Sequence, residues 1–81
     1  MAKKFVAFTT PYCGSCGPVK EFLRKTPLQG EFIDASSDDG SEKAVNMGVM
    51  GVPTVIFFDD SGEEIGRASS VQTAREIIND C

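Results

Sequence analysis

The residues with the most pointed chemistry in this chain form one tetrapeptide, Cys13-Gly14-Ser15-Cys16; a third cysteine, Cys81, is the last residue, and there is no histidine. Two cysteines at i and i+3 in the first turn of a helix lie about 5–6 Å apart, within the Cα separation a disulfide needs. Such a pair opens and closes with little backbone movement. Cys13 falls at the helix start, where unpaired N–H groups and the positive end of the dipole favour a thiolate, and Cys16 sits one turn deeper. The asymmetry assigns roles: Cys13 attacks a partner disulfide and Cys16 resolves the mixed disulfide. Gly14 and Ser15 are small and leave one side of Cys13 open.

Two other readings of the pair stand beside the redox one. Tetrahedral zinc takes four ligands, so three Cys and no His would need Asp, Glu or a second chain to complete a site. A structural disulfide closing so small a loop restricts the unfolded chain little. Position favours redox chemistry, because the pair stands at the first strand-to-helix junction of a βαβ unit.

The elements that must hold this junction are legible as periodicities. Lys4 to Phe8 is a short apolar run ending at Thr9-Thr10-Pro11, a strand feeding a loop. Val19, Phe22 and Leu23 make the stripe of an amphipathic helix that begins at the cysteines and stops at Pro27. Pro18 lies in its first turn, where a missing N–H costs little. Gly30 opens a second strand, Glu31 to Asp34, and the β-α-β unit should cross over right-handedly with parallel strands. After the turn residues Ser36 to Gly40 comes a short helix from Ser41 to Met47. Asp39 is its expected N-cap, Glu42 stands three residues on, Gly48 is its C′ residue, and Ala44, Val45 and Met47 are its buried face. Val55-Ile56-Phe57-Phe58 reads as a central strand buried on both sides. Asp59-Asp60-Ser61-Gly62 is turn chemistry, and Glu63 to Ala68 returns as an antiparallel strand. Ser69 and Gln72 have capping-box spacing ahead of a last helix whose inner face is Val71, Ala74, Ile77 and Ile78.

Composition bounds the rest. Eighty-one residues, 41% hydrophobic and 25% charged, describe one globular domain spanning 1–81. A chain of this size buries a little over about 60% of its unfolded surface, so a cofactor pocket of about 300–1,000 Å³ would consume much of its core. Function is therefore expected at a surface or an edge. Eight Lys+Arg against twelve Asp+Glu give a net charge of −4. The densest basic groups, Lys3-Lys4 and the spaced Lys20, Arg24 and Lys25, do not make a phosphate-binding face, and no nucleic-acid role is expected. No stretch reaches the length of a membrane span, the N-terminal apolar run is too short for a signal peptide, and a cytoplasmic location is expected.

The sequence resembles the thioredoxin superfamily in its small thioredoxin/glutaredoxin-like redoxins. The resemblance rests on Thr9-Thr10-Pro11-Tyr12-Cys13-Gly14-Ser15-Cys16, followed by Gly51-Val52-Pro53-Thr54 and the buried strand, with Pro53 forty residues after Cys13. It covers essentially the whole chain. A single strand before the cysteines is similar to glutaredoxins, while Val52 to Phe58, Gly62 and Gly66-Arg67 look more like thioredoxin proper. The resemblance implies that Pro53 is the family's cis-proline, facing the cysteines and exposing the preceding backbone to pair with a substrate strand. It makes Tyr12, Gly14, Ser15, Val52, Pro53 and Thr54 the docking residues around catalytic Cys13 and Cys16.

The departures are specific. Tyr12 stands where thioredoxins carry Trp, and Ala7 where they carry a buried Asp that relays protons, so no internal base for Cys16 is evident. Asp59-Asp60-Ser61-Gly62 follows the cis-proline strand where glutaredoxins carry Gly-Gly-Asp to bind glutathione. Lys20 is a helix-face residue that can assist an anion. Met47 is expected in the core, Met50, Gly51 and Val52 at the surface, and Cys81 as a spare thiol.

The expectation is an α/β thioredoxin fold of order β-α-β-α-β-β-α, a four-stranded mixed sheet flanked by three helices. It should act as a monomeric dithiol–disulfide oxidoreductase on disulfide-containing proteins. No cofactor and no metal are expected, because the dithiol itself carries the two electrons. Its electron donor should be a thioredoxin-reductase-type flavoprotein or glutathione, and neither nucleic acid nor membrane should be a partner. The alternatives are a glutathione-dependent glutaredoxin, a non-enzymatic metal-binding or metal-delivery module on the same cysteines, and a redox-inert scaffold.

Overall fold

The computed structural model describes residues 2–14 and 16–80. In chain order the elements are β1 (Lys4–Thr9), α1 (Cys16–Arg24), β2 (Gln29–Asp34), α2 (Asp38–Asn46), β3 (Thr54–Phe58), β4 (Glu64–Ala68) and α3 (Val71–Asp80). The strands form one sheet in the order β2-β1-β3-β4. β1 runs parallel to β2 and antiparallel to β3, and β3 pairs antiparallel with β4. This is the mixed sheet with three helices, in the expected order.

Period-two alternation builds two cores on this sheet. Phe5 and Ala7 of β1, with Val55 and Phe57 of β3, face one side, where Val19 and Leu23 of α1 and Ala74 of α3 close over them. Phe8 and Ile56 face the other side, where Ala44 of α2 and Val49 cover them. Consecutive residues of β3 are buried on opposite faces, as a central strand requires.

α1 keeps Pro18 in its first turn, where no intrahelical N–H is lost. It ends with the N–H and hydroxyl of Thr26 both donating to the Leu23 carbonyl, just before Pro27. Cys13 lies ahead of this helix rather than within its first turn: its N–H donates to Thr10 O and its carbonyl accepts from Cys16 N–H, each at 3.3 Å.

α2 departs most from expectation. It starts at Asp38, and its N-cap is Ser37, whose hydroxyl accepts from Gly40 N–H at 3.0 Å, not Asp39. Gly40 looks like a loop residue in sequence, yet it is buried inside the first turn. A Cβ there would collide with the Asp34 carbonyl, so glycine is what lets the helix start so close to the end of β2. Val45 also corrects its assignment: it is 73% exposed, and only Ala44 and Met47 of the expected inner face turn to the core. At the other end the expected C′ glycine holds. Gly48 takes φ +72°, Gly48 N–H donates to Val45 O, and Val49 N–H donates to Ala44 O, the paired bonds of a Schellman motif.

α3 begins one residue later than expected. Ser70 rather than Ser69 caps it, accepting from Thr73 N–H at 3.2 Å, because Ser69 is used to leave β4. The inner face is as expected, with Ala74 fully buried and Val71, Ile77 and Ile78 packed around it.

Candidate functional site

Three local structures converge at the carboxyl end of β1. The first is the turn from Thr10 into α1, which carries both cysteines. Cys13 and Cys16 are joined as a disulfide with Cα atoms 5.4 Å apart. Their surroundings differ: Cys13 is half-exposed, whereas Cys16 is 2% exposed beneath the helix start. Gly14 is exposed with open space beside its Cα. Ser15 and Cys81, named from the sequence, lie outside the described residues. The first turn of α1 holds no acidic side chain, so nothing there offsets the positive end of its dipole.

The second structure is the loop from Gly48 to Pro53. The Val52–Pro53 peptide is cis, the conformation the resemblance implies, and Pro53 is buried. Thr54 pairs with Phe8, so Pro53 comes beside the end of β1, from which the chain continues to Cys13. The two loops adjoin, since Thr10 and Val52 line the same surface groove of about 280 Å³ with Val45, Val49 and Met50. Thr54 holds the loop from within, its hydroxyl donating to the Gly51 carbonyl at 2.6 Å.

The third is a collar of apolar side chains in water. Tyr12 is 89% and Met50 99% exposed, while Val52 is half-buried against the α2-side core and Met47 packs there too, as expected. Tyr12 does not cover Cys13 to any extent that shields its own ring. Isolated exposed apolar residues are ordinary, but three of the large ones, Tyr12, Met50 and Val45, belong to the segments that meet here. The sequence singled out Tyr12 and Met50. It missed Val45, because its spacing with Ala44 and Met47 mimics a buried face.

Among the described residues no carboxylate is buried. Ala7 is fully buried in the core under α1, and the buried polar side chain among the described residues is Thr9. A titratable arrangement stands at the end of β2, the strand beside β1. There the hydroxyl and N–H of Ser36, with a smaller pull from Lys20, hold the exposed Asp34 carboxyl below the usual carboxylate range. The acidic turn Asp59–Gly62 closes the hairpin at the opposite end of β3 from Pro53. Five strand residues separate them, roughly 17 Å, and that turn is not part of the groove that Thr10 and Val52 line.

A glutaredoxin family model matches residues 5–61. The chain is 34% identical over 65 residues to the SPbeta prophage-derived thioredoxin-like protein YosR of Bacillus subtilis (strain 168), covering 80% of this chain and 79% of that one. It is 32% identical to mitochondrial thioredoxin-2 of Schizosaccharomyces pombe, over 90% of this chain and 58% of that protein. Among solved structures it superposes on thioredoxin O2 of Arabidopsis thaliana with a TM-score of 0.82 at 20% identity, over 98% of this chain and 74% of that one. On thioredoxin 1 of Thermosipho africanus the TM-score is 0.76 at 23% identity, over 95% and 91% of the two chains. The chain belongs to the thioredoxin superfamily, as a small redoxin of thioredoxin/glutaredoxin type. The class chemistry that goes with this fold and cysteine pair is dithiol–disulfide exchange.

Proposed function

We propose that this redoxin reduces disulfides in protein substrates, with Cys13 as nucleophile and Cys16 as resolving thiol. The difference in exposure within the pair carries the reading: the half-exposed Cys13 sulfur can be reached by a macromolecular disulfide and the buried Cys16 sulfur cannot. In the reduced protein the Cys13 thiolate attacks one sulfur of the target cystine. The first target thiolate leaves as the mixed disulfide forms. Cys16, deprotonated by water since no carboxylate is buried among the described residues, then attacks Cys13 Sγ, closes the Cys13–Cys16 disulfide and releases the second target thiol. Two electrons pass to the target and the two cysteines carry the oxidation, so no other cofactor takes part.

Docking falls to Tyr12, Gly14, Ser15, Val52, Pro53 and Thr54, with the backbone before Pro53 pairing with an extended target segment. A thioredoxin-reductase-type flavoprotein or glutathione resets the disulfide, and the protein works as a cytoplasmic monomer. The match to a glutaredoxin family model favours glutathione as a second reading of the donor. Comparing the two donors for reduction of the Cys13–Cys16 disulfide distinguishes them.

The mechanism is tested by insulin reduction with dithiothreitol. Cys13→Ser should lower turnover by at least about 10³-fold, as loss of a nucleophile does, and Cys16→Ser should accumulate the mixed disulfide. Undiminished turnover in Cys13→Ser would remove it as the nucleophile.

A further inference from the structure

The Gly48–Pro53 loop is fixed at its ends and free at its crest. Val49 is buried and its N–H is tied to α2, Gly51 O is held by Thr54, and Pro53 is buried. Met50 between them stands in water. The Gly48 carbonyl accepts from Arg67 Nη1 at 3.5 Å, a contact between residues nineteen apart in sequence. Arg67 is in turn gripped by Glu64 along one edge of its guanidinium, Nε to Oε2 at 2.6 Å and Nη2 to Oε1 at 3.1 Å. The fork geometry fixes the guanidinium plane. The ion pair lowers the Glu64 carboxyl and raises Arg67.

A break in the strand register puts these groups together. Arg67 pairs with Ile56 and Gly66 with Phe57, but Phe58 pairs with Glu64, so Ile65 is an extra residue in β4. Without that bulge, residues three apart in a strand point to opposite faces. With it, Glu64 and Arg67 share the face on which Ile56, Val49 and α2 lie. The guanidinium then lines the recess formed by Gly48, Val49, Met50, Thr54, Ala68 and Ser69.

We infer that Arg67, oriented by Glu64, is a positioning residue for target binding, setting the height and tilt of the Met50–Pro53 crest through the Gly48 carbonyl. The inference rests on the proposed reading of that crest as the docking loop. Arg67 touches neither cysteine, so it acts on how a protein target is held and not on sulfur exchange itself. A small disulfide, which needs only Cys13, escapes its influence.

The test compares insulin with 5,5′-dithiobis(2-nitrobenzoate) as substrates for the full chain and for Arg67→Met, Arg67→Lys and Glu64→Gln, with thermal unfolding recorded for each. In Arg67→Met the KM for insulin should rise about three- to tenfold, the range expected for losing an exposed, charge-assisted contact. Its kcat, and its rate with the small disulfide, should stay within about twofold. Arg67→Lys should recover part of the loss and Glu64→Gln should show a smaller rise, since it frees the guanidinium without removing it. Unchanged KM in a folded Arg67→Met overturns the inference while leaving the redox reading standing. Equal losses on both substrates also overturn it. Failure of the unsubstituted chain to reduce either substrate overturns both. Should Arg67→Met not fold, an insulin KM in Glu64→Gln equal to that of the unsubstituted chain overturns it.

Discussion

The two faces of the sheet are built to different depths. On one, α1 and α3 close over Phe5, Ala7, Val55 and Phe57, with Phe22, Leu28, Ile65, Val71, Ile77 and Ile78 packed around them. On the other, one short helix lays Ala44 over Phe8 and Ile56, and Val6, Ile33 and Phe58 are left half-buried at the margin. The deep face holds the buried cysteine in place, because Cys16 is the first residue of α1 and Val19 and Leu23 anchor that helix. The shallow face carries the loop that leads into Pro53. The deeper packing thus lies under the cysteine pair, and the loop proposed to meet a partner rests on local clamps: a helix C-cap, one threonine hydroxyl and one arginine.

Cavities are the direct way to break this contrast. Leu23→Ala, deep under α1, should cost about 3 kcal/mol, since a fully enclosed leucine leaves a void its neighbours cannot fill. Val49→Ala should cost about 1–2 kcal/mol, because it removes less and the α2 side can settle inward. Urea unfolding of the two variants measures both, and equal costs would mean the faces are equally deep.

The cap of α2 is the next test. Ser37→Ala removes the acceptor for Gly40 N–H and should destabilise the protein by about 1 kcal/mol. Hydrogen exchange should show the loss concentrated in α2, with α1 amides little changed. A uniform loss would mean that α2 unfolds only with the whole chain.

The smallest effect belongs to the hairpin turn. Asp59 accepts from the hydroxyl of Ser61 and from the N–H groups of Glu63 and Ser61, which together lower its carboxyl below the ordinary 3.8. A carboxyl depressed on folding contributes stability above its unfolded value. That contribution is lost as the pH falls below about 3.8, through the lower folded value. Asp59→Asn should therefore be slightly less stable than the parent at pH 7, and the gap should narrow on acidification. A gap independent of pH would assign the effect to geometry instead of charge.

Much of the fold and the site is legible in the residues because it follows from local rules. Alternating apolar residues make β1 and β3, the Val19-Phe22-Leu23 stripe makes α1, and Gly48 ends α2. The Cys13–Cys16 spacing fixes a disulfide-competent pair whatever surrounds it. The errors cluster where two local choices are nearly equal in energy. Ser37 or Asp39, and Ser69 or Ser70, can each cap a helix, and only the docking of that helix against the sheet selects between them. Val45 looks buried by period and is exposed, because α2 rolls to bring Ala44 rather than Val45 onto Phe8 and Ile56.

By itself, then, the sequence determined the cysteine pair, its strand-to-helix setting and the β-α-β-α-β-β-α order, since each depends on residues within one or two turns of one another. The tertiary structure alone decided that Thr54 pairs with Phe8, and that Glu64 and Arg67 share a face with Gly48. Those facts depend on strand register and on one bulge. Register is set by contacts between segments distant in the chain, and no local periodicity records it.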